Sequence, residues 1–184
     1  MKFLGVIAVL ICLTSCYSEY HQKVQNELAS GVRYDSLFFG LKLGMTRKEF
    51  FDRCWELNRS GIVWQSNLNN AVRYKIDGFK HEAKMDFYPN FYKNKVFQMP
   101  VEFQYVGWNP VSQSVSYDSL ELEVLNQIKE WFGTDVMKME KSPGHYAWVW
   151  VHGNRRILLT KLNDQTAKVI FTDLLVEAEM EENE

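Results

Sequence analysis

Two stretches of the chain carry the same order of signals: a capped amphipathic helix, a glycine that ends it, and then alternating strands separated by turns. Thr46-Arg47-Lys48-Glu49 reads as a capping box, in which the threonine hydroxyl accepts from the third helical N–H while the glutamate reaches back to the cap. Met45 and Phe50 supply the hydrophobic staple, Phe50, Cys54 and Leu57 recur at helical spacing, and Ser60-Gly61 stops the helix. Asp118-Ser119-Leu120-Glu121 repeats the arrangement, with Tyr117 and Leu122 as the staple, an apolar face of Leu125, Ile128 and Phe132, and Gly133 at the end. The caps are 72 residues apart, and each lies fifteen before its glycine. That period suggests two units of one kind, against the plainer account that a helix followed by hairpins is a common α+β arrangement.

Strands follow both helices. Val72, Tyr74 and Ile76 alternate with Arg73 and Lys75, and Asp77-Gly78 is a two-residue turn of the type that favours positive φ. The return strand places Phe79, His81, Ala83, Met85 and Phe87 on one face and Lys80, Glu82, Lys84 and Asp86 on the other. Counting back from the turn pairs Ile76 with Phe79, Tyr74 with His81 and Arg73 with Glu82. A third strand, about 96–106, carries Val101, Phe103 and Tyr105 on one face, and its Pro100 points to a sheet edge or a bulge. After the second helix come strands at 146–151, 157–162 and 168–175, separated by Gly153-Asn154 and Asn163-Asp164 turns. The expected fold class is α+β: two helix-plus-antiparallel-meander units, about 38–106 and 112–175, joined in one continuous sheet with both helices packed on one face, in a domain spanning 34–176.

The ends of the chain speak to location. Met1-Lys2 and the eleven apolar residues from Phe3 to Leu13 form the n- and h-regions of a signal peptide, too short for a membrane span of about 20 residues. The signal closes on Leu13-Thr14-Ser15-Cys16, which resembles the lipobox of bacterial lipoproteins. The resemblance implies that residues 1–15 are removed and that Cys16 carries palmitate-type acyl chains, each buried methylene adding about 0.8 kcal/mol of membrane affinity. The expected address is the bacterial cell envelope, with the outer membrane preferred over the inner and the domain in the periplasm or at the cell surface. Residues 16–33 read as a flexible tether and the glutamate-rich 177–184 as an acidic, solvated tail. Without its signal the chain keeps 20 Lys and Arg against 23 Asp and Glu, which gives no support to nucleic-acid binding. Cys54 is the one cysteine left after Cys12 is removed and Cys16 acylated, so no internal disulfide forms.

The segment Leu43-Gly44-Met45-Thr46-Arg47-Lys48-Glu49-Phe50 resembles the Gly-Met-Thr helix start of small outer-membrane lipoproteins of the SmpA/OmlA (BamE-like) type. The stretch from Tyr146 to Phe171 is similar to that family's meander, and the tandem plan is similar to that of the β-lactamase inhibitory protein-like fold group. The resemblance implies a noncatalytic adaptor or inhibitor that presents a sheet or loops to another protein. The usual Leu-Gly-x-Pro helix end of the family is replaced here by Leu57-Asn58-Arg59-Ser60-Gly61.

No motif argues for chemistry. The histidines at 21, 81, 145 and 152 lack metal-ligand spacing, no nucleophile elbow or phosphate loop occurs, and no cofactor is implied. His81 reads as a hydrogen-bonded core histidine and Cys54 as a buried structural thiol. The unusual feature is Tyr146-Ala147-Trp148-Val149-Trp150-Val151, whose period of two puts Tyr146, Trp148 and Trp150 on one face. With the second helix over Ala147, Val149 and Val151, that aromatic face is left to core or to a partner, core being the commoner fate. The function expected is a membrane-anchored envelope lipoprotein that binds or scaffolds another envelope protein. The alternative is an envelope enzyme or a small-ligand or glycan carrier, which requires a pocket with convergent polar groups.

Overall fold

The computed structural model describes residues 19–66, 71–107, 115–142 and 145–183, so Cys16 and the signal lie outside the described residues. Helices are α1 (residues 19–29), α2 (Arg47–Arg59), α3 (Tyr117–Phe132) and α4 (Leu174–Glu181). Strands are β1 (Val63–Gln65), β2 (Val72–Ile76), β3 (Ala83–Phe87), β4 (Asn90–Tyr92), β5 (Lys95–Tyr105), β6 (Met137–Ser142), β7 (His145–His152), β8 (Arg155–Asn163) and β9 (Thr166–Asp173). Together they make an α+β fold around one antiparallel sheet ordered β1-β2-β3-β5-β9-β8-β7-β6, with β4 folded back on β5. Each of α2 and α3 is followed by a meander, and the meanders join through their final strands, β5 against β9.

Alternation explains which face is buried. Met85, Phe87, Val101, Phe103, Val169 and Phe171 share the face under α2 and α3, and these helices contribute Phe50, Leu57, Leu120, Val124 and Ile128 to the same core. The capping box of α2 is present, with Thr46 N donating to Glu49 Oε2 at 2.6 Å and Glu49 N to Thr46 Oγ1 at 3.3 Å. The cap of α3 sits two residues before the expected Asp118. Ser116, extended at φ −76° and ψ 162°, accepts from Ser119 N at 3.3 Å, and Tyr117 begins the helix with its ring in the core.

The expected two-residue hairpin at Asp77-Gly78 is a longer connection. Ile76 pairs with Ala83 and Tyr74 with Met85, so 77–82 form the loop. The sliding preserves face parity, since every partner shifts by four residues, and it exchanges the expected Arg73–Glu82 pair for Arg73–Asp86. Arg73 Nε and Nη2 donate to the two Asp86 oxygens at 2.6 and 2.7 Å, and Nη2 also to Ser66 Oγ at 2.9 Å. A bidentate pair this shielded outweighs an exposed one at a tight turn. Pro100 lies within a central strand, not at an edge. Its position falls in the gap where β3 ends opposite Val101 and β4 begins opposite Gln98 beside a bulge, so the missing N–H interrupts little.

Two expectations about the ends are corrected. Of the polar 16–33 segment expected to be a tether, the described residues from 19 on are held: α1 packs on the opposite face of the sheet, setting Tyr20, Val24 and Leu28 against Val149, Val151, Leu158 and Leu174. Their i, i+4, i+8 spacing is an apolar ridge in a sequence otherwise rich in Lys, Gln, Asn and Glu. Lys23 Nζ reaches Asp135 at 2.8 Å and Glu27 accepts from Gly153 N at 2.8 Å, which fixes the helix across the sheet. The acidic run likewise begins as helix α4, capped by Asp173, with Glu177 paired to Arg156 at 2.6 Å and Glu179 to Lys93.

Candidate functional site

The aromatic strand face is not a shared surface. Trp150 is fully buried and its Nε1 donates to Gly133 O at 2.9 Å, so α3 and its terminal glycine lie on this side of β7. Trp148 is half-buried against the same core, and Tyr146, 40% exposed, carries the Lys138 ammonium 3.8 Å over its ring. The side of Ala147, Val149 and Val151, expected to receive the second helix, receives α1 at Val149 and Val151. Small side chains leave a shallow surface there, which the Tyr20, Val24 and Leu28 ridge fills.

The remaining expected positions are scattered. His81 lies in the 77–82 loop with its ring 5.4 Å from Tyr105, and Met85 takes the place opposite Tyr74. His152 is half-buried 5.9 Å from Tyr34, and burial, with Arg155 beside it, holds its pKa below the ordinary histidine value. His21 is on α1 beside Tyr20, and the side chain of His145 lies outside the described residues. Among the described residues no group of three or more His, Cys, Asp or Glu is placed to hold a metal ion.

The densest polar cluster ties the segment before α2 to the β7–β8 turn. Arg33 Nη2 donates to Asp173 Oδ2 at 2.8 Å and to Asp35 Oδ1 at 3.0 Å. Asn154 donates to the same Asp35 oxygen at 3.0 Å and accepts from Tyr34 N at 2.7 Å. Arg155, buried between the rings of Tyr34 and Phe132, donates to Ser36 O at 2.6 Å, and burial pulls its pKa down to about 10. Both carboxylates are occupied by donors of the fold itself, and the cluster works as a clasp.

A concave feature lies elsewhere, between α2 and the β1–β2 edge. It is an open groove of about 550 Å³ lined by Phe51, Cys54, Trp55 and Asn58 from the helix, Val63 to Gln65 of β1, Val72 of β2 with Ala71 just before it, and Tyr88. Helix geometry explains it. Phe50, Cys54 and Leu57 already supply the inward face, so Phe51 and Trp55, one position on from Phe50 and Cys54, are turned about 100° away from it. Trp55 is 60% exposed, Phe51 47%, Trp64 42% and Ile62 40%. Two large aromatic side chains of the helix, Phe51 and Trp55, exposed at one cleft whose lining also includes Trp64, are more than the isolated exposure that any surface tolerates. The polar groups of the lining are the amides of Asn58 and Gln65, the Tyr88 hydroxyl and the indoles of Trp55 and Trp64, and burial pushes the Cys54 thiol up to about 12, which removes it as a nucleophile.

Arg47, Phe51, Trp55 and Arg59 form one i±4 ridge of α2. The Arg47 guanidinium rests 3.9 Å over the Phe91 ring and that of Arg59 4.8 Å over Trp55. The surplus of aromatic residues beyond one helical face, Phe50-Phe51 and then Cys54-Trp55, was the sequence signal for this site. Compared with protein-family patterns, curated proteins and solved structures, the chain has no significant match.

Proposed function

We propose that this chain is a lipid-anchored envelope protein that works by binding another protein, with the groove between α2 and β1 as its contact site. The anchor rests on the signal-like residues 1–15 and on Cys16 at the end of a lipobox-like sequence. The observation that carries the binding role is the exposed pair of Phe51 and Trp55 lining a concave, largely apolar groove that Trp64 also borders. Aromatic side chains seated at a cleft are the usual anchors of protein interfaces, because they bury large areas at little cost in rotamer entropy.

The groove also has the volume of a small-molecule pocket, which favours an apolar-ligand carrier as the second reading. Its lining offers no acid, base or ionisable nucleophile near neutral pH, so a ligand there is held and not transformed.

The test has two parts. Intact mass and membrane fractionation of the native protein beside Cys16→Ala should show acyl chains and membrane retention in the first and neither in the second. A photo-crosslinking residue at position 51 should then join the anchored protein to one defined protein band, and Trp55→Ala should abolish that band. An unmodified, soluble native chain refutes the anchor. A crosslink indifferent to Trp55→Ala refutes the groove.

A further inference from the structure

The charges around the groove indicate what kind of segment it accepts. Every acidic residue of α2 is engaged within the fold: Asp52 with Lys48 at 2.6 Å, Glu56 with Arg53 at 2.9 Å, and Glu49 with the Thr46 cap. Arg47 and Arg59 are different. Among the described residues neither has a carboxylate within ion-pair distance, and each lies on an aromatic ring instead. A guanidinium stacked on a ring stays exposed at its edge, where its N–H fork can still receive a carboxylate in bidentate fashion. The two cations bracket the Phe51 and Trp55 rings along a single ridge.

Resting on the groove as the contact site, we propose that its occupant is a segment of a partner protein with an apolar side chain at the centre and carboxylates on both sides. Arg59 lies twelve positions after Arg47 in the helix, a rise of about 18 Å. An extended segment covers that span in about five or six residues at roughly 3.3 Å each. The apolar residue enters between Trp55 and Val63, and acidic residues on either side meet Arg47 and Arg59. The pattern is thus acidic, apolar, acidic, at a spacing set by the helix.

The full mature-length chain bearing Cys16→Ser, immobilised through its C-terminus, should be used to select from a displayed library of random twelve-residue segments. The expected outcome is enrichment of Asp or Glu on both sides of a Leu, Ile, Phe or Trp. Binding of the selected peptides should weaken about tenfold or more in Arg47→Glu/Arg59→Glu and in Trp55→Ala. It should also weaken between about 0.05 and 0.5 M salt, where the screening length becomes short. Circular dichroism of the variants confirms that these surface changes leave the fold intact. Selection of uncharged apolar peptides that bind the double-glutamate variant equally well overturns the acidic pattern and leaves the groove as a site. Selection of nothing that depends on Trp55 overturns both. Sedimentation of the Cys16→Ser chain with phosphatidylglycerol vesicles, lost on Trp55→Ala and Arg47→Glu/Arg59→Glu, assigns the patch to a membrane surface and overturns the peptide proposal.

Discussion

Replacing Trp150 and Trp148 separately by Phe, two positions apart on one face of β7, should give distinct results for the same chemical change. Trp150 is fully buried and its indole N–H reaches Gly133 O at 2.9 Å. Its replacement forfeits a hydrogen bond worth about 1 kcal/mol. It also loses about 1 kcal/mol of transfer free energy and leaves a void of roughly 40 Å³, which adds about 1 kcal/mol more. The sum is about 3 kcal/mol, or a fall in Tm of about 6 to 12 °C for a domain of this size. The Trp148 indole N–H is buried with no hydrogen-bond partner among the described residues. Phe there loses a comparable transfer term and part of a cation–π contact with Lys138, 5.2 Å from the ring, but removes a donor whose isolation costs about 1 to 3 kcal/mol. The net change should lie within about 1 kcal/mol of zero. Equilibrium urea unfolding followed by far-ultraviolet circular dichroism reads both, with an unchanged slope as the check that only stability has moved. Equal costs at the two positions, or a loss below about 1 kcal/mol for Trp150→Phe, would refute this account of which ring belongs to the core.

Three further outcomes follow from other parts of the fold. Arg73→Ala leaves Asp86, whose side chain is 14% exposed, without its cation and should cost about 2 to 3 kcal/mol in urea unfolding, whereas Glu82→Ala should cost less than about 0.5 kcal/mol. Gly153→Ala places a methyl 2.1 Å from Val32 O at a φ of +50°, so it should destabilise by more than about 2 kcal/mol and raise hydrogen exchange across residues 31–36. Acidification should release α1 before the core. Burial alone would raise the Glu27 pKa, but the Gly153 N–H and the Lys23 ammonium leave it lowered, and the hydrogen bond from Lys23 lowers that of Asp135. Their contribution is therefore complete above the ordinary carboxylate pKa and is lost as pH falls through the lower folded values, so protection of α1 amides, corrected for intrinsic rates, should drop below about pH 4. Constant protection down to pH 3 would contradict the Lys23, Glu27 and Asp135 arrangement.

How far the sequence could be read depended on whether one pattern had one solution. The α2 capping box and the alternation through β7 and β8 each admit a single geometry, and the structure has them within two residues, while β9 starts and ends two residues earlier than expected because Leu174 and Leu175 open α4. The Asp77-Gly78 turn admitted two, because a slide that shifts partners by four residues keeps every side chain on its face. Arg73 chose between them through Asp86 and Ser66, a long-range preference that local turn chemistry does not contain. Strand β6 is faint in the sequence although Met137 and Met139 alternate with Lys138 and Glu140, since four polar residues dilute the pattern. The ridge of Tyr20, Val24 and Leu28 was hidden in the same way by the polar residues between its members. The groove is harder to read from sequence because Phe50, Cys54 and Leu57 already satisfy the inward face of α2. Phe51 and Trp55 then remained as an unexplained surplus, and in the structure that surplus is the exposed edge.

The position of β9 has a consequence for how the molecule assembles in time. The strand that leaves the ribosome after all the other described strands stands at the middle of the finished sheet, between β5 and β8. Gln98 and Thr172, paired across that junction, are 74 positions apart in the chain. Until β9 arrives, β5 and β8 each present an open hydrogen-bonding edge, and the two meanders have nothing to join them. Closing so long a loop is entropically slow, so the rate of folding is governed by contact order more than by the ease of forming α2 or the β7–β8 hairpin. A chain stopped before Thr166 therefore keeps two sticky half-sheets, with the aggregation hazard of uncovered strand edges, and full length is a kinetic requirement of the fold as well as a structural one.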